Sequence, residues 1–116
     1  MKKERQGRMN HEIQRALSKI ISQDLKDPRM GFTTVTRCEI TQDMHTCKVF
    51  VSIIGDRHAA RLTMDALKNA TGFIRGELGA AVELRHTPEL VFIEDRTTER
   101  AIDVLKTLEK AQVIDE

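Results

Sequence analysis

The sequence predicts an α+β domain in which helices lie on one face of a three-stranded sheet. Three observations carry this. "FTTVTRCEI" and "TCKVFVSII" are β-branched, alternating segments joined by a short polar turn. Apolar residues recur at helical spacing before and after that pair. A third strand-like segment, "TPELVFIED", stands alone behind two helical stretches, so the order is helix, strand, strand, helix, helix, strand, helix.

The first helix runs from about Arg5 to Leu25, with Met9, Ile13, Ala16, Leu17, Ile20 and Ile21 on one face. Arg8, Arg15 and Lys19 share the far side, with Glu12 between them. "KDPRMG" stops the helix, because Pro28 lacks a donor and excludes Asp27 from helical geometry. In the second strand Cys47, Val49, Val51 and Ile53 share a face. A loop centred on Gln42 and Asp43 sets Cys38 opposite Cys47. Gly55 ends that strand and Asp56 caps the next helix, whose buried stripe is Leu62, Ala66, Leu67 and Ala70. Arg57, Arg61 and Lys68 face away from that stripe.

"NATGFIRGELGAAV" raises a question of its own. Phe73, Ile74, Leu78, Ala81 and Val82 mark a buried helix face, yet Gly72, Gly76 and Gly79 fall in the same stretch. Each interior glycine costs a helix about 1 kcal/mol relative to alanine. Pro88 fits only the start or edge of the third strand. A last helix from about Thr98 to Ala111 carries Ile102, Leu105 and Leu108. The 116 residues read as one domain, 1–116, with that helix beginning at about 98.

Composition narrows the function. With 40% hydrophobic and 32% charged residues the chain reads as a soluble cytoplasmic protein, and no apolar run suffices for a membrane span. Four Phe and no Tyr or Trp weaken any model built on stacking exposed bases on aromatic platforms. Residues 1–30 hold eight Lys and Arg against four acidic side chains, whereas residues 94–116 hold four against seven. The basic end suits a polyanion and the acidic end repels one. A monomer is expected, because no apolar stripe is left without a use.

Several motifs are set aside. "GFIRGELG" lacks the Gly-Lys-Ser/Thr ending of a P-loop and follows a helix. "GELG" reads as a G-x-x-G phosphate loop, but Glu77 and the unbroken apolar period argue against it. Cys38, Cys47 and His45 are too few for a closed zinc site, and no cofactor or metal is expected. His11, His58 and His86 have no nucleophile at a recognisable spacing. The acidic pairs Asp24/Asp27 and Glu94/Asp95 suit capping and solubility better than acid–base chemistry, so no enzyme is expected. "ATG", Ala70 to Gly72, differs from these. Small residues at a helix junction allow a sharp bend, the next helix offers free N–H groups there, and Arg57, Arg61, Lys68 and Arg75 flank it. This suits a phosphate-facing corner, although the pattern by itself fits a simple helix break better.

"KDPRMGF", "VFVS", "ATGFIRGELG" and "LRHTPELVFIED" resemble, in order and spacing, the bacterial ribosome-binding factor A family. The resemblance runs from the first helix to about Asp95, after which "DRTTERAIDV" departs from the family's usual Gly and Arg. It implies a type II KH-like fold with an A-x-G kink between two helices, here Ala70, Thr71 and Gly72, and close helix packing at Gly79. It further implies binding to immature small ribosomal subunits through 16S rRNA, help with late maturation, and cold adaptation, without catalysis. The residues expected at RNA are Arg8, Arg15, Lys19, Arg57, Arg61, Lys68, Arg75 and Arg85 for phosphates. Ala70, Thr71 and Gly72 shape the surface. The rival reading is a protein-interaction module for a ribosomal protein or an assembly GTPase, with the acidic last helix as its surface.

Overall fold

Ile13 and Leu17, one helical turn apart and fully buried, anchor the first helix, α1 (Lys3–Lys19), to the sheet. The computed structural model describes residues 3–25, 27–97 and 105–109. The helix does not run evenly to Leu25. Ile20–Asp24 widen into a π-helical turn closed by the Leu25 N–H donating to Ile20 O at 3.1 Å. Both Ile20 and Ile21 stay buried through it.

Three amides at successive turns of α1 join it to the strand that follows, β1 (Phe32–Ile40). Gln6 Nε2 donates to Ile40 O at 2.9 Å, and Asn10 Oδ1 accepts the Ile40 N–H at 2.7 Å. Gln14 Nε2 reaches Val35 O and Thr36 O at 3.3 and 3.2 Å. They satisfy backbone groups that an edge strand otherwise leaves open.

β1 pairs antiparallel with β2 (Thr46–Ile54), and β2 pairs parallel with β3 (Glu89–Glu94), giving the order β1-β2-β3. The hairpin register differs from the sequence expectation by two residues: Cys47 faces Ile40 and Cys38 faces Val49. Met44, at φ 64°, lengthens the loop, and Met44 N–H and Thr41 N–H close it on Thr41 O and Thr46 O. A shift of two keeps every side chain on its expected face. Cys38 and Cys47 therefore remain buried free thiols. The hydrogen bond with Cys47, together with burial, pushes the Cys38 thiol up. β1 also carries a bulge between Val35 and Arg37.

The crossover from β2 to the parallel β3 is made by α2 (Arg57–Asn69) and α3 (Thr71–Ala81). Gly55, at φ 146°, lets β2 turn into α2, and Asp56 caps it by accepting the Ala59 N–H at 2.8 Å. Val35, Cys38, Val49, Val51, Leu90 and Phe92 meet Ile13, Leu17, Leu67, Ile74 and Leu78 in one core. The other sheet face stays open, with Phe32, Ile54 and Val91 exposed. Residues 105–109 are helical with Leu105 and Leu108 exposed. The rest of the expected last helix, including Ile102, lies outside the described residues.

Candidate nucleic-acid interface

The bend between α2 and α3 sits on Ala70, which takes φ −90° and ψ 4°. Its N–H donates to Ala66 O and its carbonyl accepts from the Ile74 N–H, so each helix keeps its own ladder up to the corner. Thr71 Oγ1 donates to Leu67 O at 3.1 Å and ties the corner back onto α2. No side chain caps the first turn of α3, so its N-terminal dipole end is left for solvent or an anion.

The glycines around this corner have different reasons. A Cβ on Gly79 would stand 2.8 Å from Thr87 Oγ1, so Gly79 permits the close approach of α3 to the segment before β3. A Cβ on Gly72 or Gly76 would meet nothing within 4 Å. Neither has positive φ. Ala70 makes the bend, and Gly72 contributes a bare surface beside it.

The expected basic residues fall into two sets, and all but Arg75 are exposed. Arg15 and Lys19 line a groove between α1 and the end of α3, with Ala81, Val82 and Glu83 opposite. The groove continues past Glu12 to Arg5 and Arg8 on α1 and to Leu84 and Arg85 on the loop before β3. Arg8, Arg15, Lys19 and Arg85 thus share one trough. Glu12 and Glu83 moderate its charge. Arg5 belongs to it as well and was legible as the cation one turn before Arg8. The hairpin loop closes one end of the trough: Met44 lines it, His45 stacks on His86 with centroids 6.5 Å apart, and His45 O accepts the Glu89 N–H.

Arg57, Arg61 and Lys68 form the second set, on the solvent side of α2, opposite Ala60, Thr63, Ala66 and Leu67. Arg57 stands 3.7 Å from Glu94 Oε1. Arg75 belongs to neither set. Its Nε donates to Pro88 O at 3.0 Å and its Nη2 to Thr87 O at 2.9 Å. The guanidinium braces the entry into β3, a task that sequence spacing does not announce.

Two other expectations change. Phe73, placed by periodicity on the buried face of α3, is 49% exposed, and Ala81 is exposed too; Ile74, Leu78 and Val82 carry that face alone. Thr63, unremarked in the sequence, is fully buried. Its hydroxyl donates to Ala59 O at 2.8 Å and accepts the Gly31 N–H at 2.9 Å, which fastens the loop after α1 to α2. Among the described residues no cluster of three or more His, Cys, Asp or Glu side chains forms a metal site.

The family model described as ribosome-binding factor A matches residues 5–108. The chain is 43% identical over 108 residues to ribosome-binding factor A of Desulfitobacterium hafniense, covering 93% of this chain and 86% of the relative. It is 42% identical over 111 residues to that of Clostridium acetobutylicum, covering 95% and 92%. Its fold superposes on the crystal structure of ribosome-binding factor A from Thermus thermophilus with TM-score 0.71 and 26% identity, covering 79% and 97% of the two chains. It also matches, with TM-score 0.63 and 29% identity over 74% and 90%, a homology model of the Thermus thermophilus factor fitted into a cryo-EM map of its 30S complex. The helix-bend-helix unit on a three-stranded sheet is thus a KH-like fold, and the chain belongs to the ribosome-binding factor A family.

Proposed function

We propose that this protein binds the free or immature small ribosomal subunit through 16S rRNA and assists its late maturation without catalysing a reaction. The observation that carries the reading is the trough between α1 and the end of α3, where Arg8, Arg15, Lys19 and Arg85 converge. Flexible cations spread along a groove suit a phosphate backbone. They position a protein without reading base identity, so specificity comes from the shape of the folded rRNA. The uncapped start of α3 and the α2 cations supply a second phosphate-facing surface at the Ala70 bend. The Thermus thermophilus relative in a 30S complex supports the choice of partner.

The reading extends to a single domain over residues 1–116, to a cytoplasmic site of action, and to a greater need for the protein in the cold. No helix among the described residues is long and apolar enough to cross a membrane.

Co-sedimentation with isolated small subunits and with whole ribosomes, at low and moderate salt, tests the proposal. Selective, salt-sensitive retention on free small subunits is the expected result. Retention that ignores salt would favour a ribosomal-protein or GTPase partner and overturn the rRNA contact.

A further inference from the structure

Two of the three glycines in α3 remain without a packing reason. Gly72 and Gly76 have open space where a Cβ would stand and do not use positive φ, although glycine is among the poorest helix formers. They lie one turn apart, so together they leave a strip of α3 free of side chains. Phe73 stands beside that strip, 49% exposed.

The other three phenylalanines have different surroundings, and of these Phe32 is more exposed than Phe73, at 72%. Phe92 is buried in the core. Phe50 has the Arg37 guanidinium 3.9 Å from its ring centroid. Phe32 faces Ile54 across the open side of the hairpin. Phe73 is the one flanked by bare backbone, and it follows the bend into which the exposed Arg61 and Lys68 of α2 lead.

We infer that Phe73 is a stacking surface for one unpaired nucleotide of the bound RNA. The inference rests on the function proposed above and makes it more specific: the RNA at the bend is single-stranded, because a base inside a duplex has no free face to offer. The base lies against the Phe73 ring, and the side-chain-free strip of Gly72 and Gly76 gives its sugar and base edge room to approach. Lys68 and Arg61 supply the positive charge for the adjoining phosphates, so the site joins an apolar face to a cationic one, as single-strand binders do. Stacking is tolerant of base identity, since every base has a π-face.

The chain contains neither Trp nor Tyr, so Phe73→Trp introduces its sole indole. The probe is a twelve-nucleotide single-stranded RNA, compared with a blunt RNA duplex of equal length. Emission of the Phe73→Trp variant should be quenched by the single strand and little affected by the duplex. Phe32→Trp, on the open sheet face, should stay unquenched with both. Phe73→Leu should lose roughly tenfold in affinity for the single strand, and Gly76→Gln should lose a similar amount with its helix content intact by circular dichroism. These two variants carry the test if Phe73→Trp does not fold. Unchanged emission on demonstrated binding, or wild-type affinity in both Phe73→Leu and Gly76→Gln, overturns the inference. Where the unmodified protein still sediments with small subunits, the stacking inference alone falls. Where it binds neither subunits nor oligonucleotide, the proposed function falls with it.

Discussion

A methyl group on Gly79 would stand 2.8 Å from Thr87 Oγ1, whereas one on Gly72 or Gly76 would meet nothing within 4 Å. Three glycines of one helix thus separate into one that packing requires and two that it does not. Gly72→Ala and Gly76→Ala should each stabilise the fold by about 0.5–1 kcal/mol through helix propensity. Gly79→Ala should fall short of them by about 1–3 kcal/mol, because the β-branched Thr87 must move. Urea denaturation of the three variants checks this, and equal shifts would contradict it. A β-branched residue at Gly72 should harm RNA binding more than folding. If it unfolds the protein instead, the bend is architecture only.

Thr63 fastens the loop after α1. Thr63→Val keeps the volume but removes the acceptor of the Gly31 N–H and should cost about 1–3 kcal/mol in urea denaturation. Thr63→Ser, which keeps the hydroxyl, should lose much less. Similar losses in both would show that the hydroxyl is incidental.

Arg75 separates structural from RNA-facing cations. With its guanidinium held by the carbonyls of Thr87 and Pro88, Arg75→Gln should lower stability by about 1–3 kcal/mol. It should leave the salt dependence of subunit binding unchanged. A flattened salt dependence with normal stability would return Arg75 to the RNA surface.

Among the described residues, the carboxyls of Asp27, Asp43 and Asp95 lie below the ordinary aspartate value. The Arg29 side chain and N–H hold Asp27 there, the Thr41 hydroxyl and His45 N–H hold Asp43, and Thr97 and Thr36 hold Asp95. Groups lowered on folding stabilise fully above the unfolded value and lose that effect as pH falls through the folded one. Their contribution should be constant above about pH 5 and decline below about pH 4. Thermal melts from pH 3 to 7 should show a shallower acid decline in Asp95→Asn than in the unmodified protein. An identical profile would remove Asp95 from the effect.

Periodicity locates the helices and strands because each buries a face, and burial leaves a repeat in the sequence. It gives the centre of the α3 face, Ile74 and Leu78, but not its width, so it places Phe73 inward. It misses the amide row Gln6, Asn10 and Gln14, the Thr63 clasp and the Arg75 brace, since side-chain bonds to distant backbone leave no periodic trace. The hairpin register escapes it because Met44 adopts positive φ, a geometry that methionine does not signal. Helical spacing does expose Arg8, Arg15 and Lys19 as one row. Their convergence with Arg85 requires the fold, because Arg85 comes from the other end of the crossover.

The central claim is that the trough cations meet rRNA phosphates. Its most direct test is the dependence of small-subunit affinity on salt for the unmodified protein and for the triple variant Arg8→Ala, Arg15→Ala, Lys19→Ala. Each phosphate contact adds about 0.7–0.9 to the slope of log affinity against log salt. The variant should bind more weakly at low salt with a slope shallower by about two. An unchanged slope with full affinity would mean that RNA does not enter the trough.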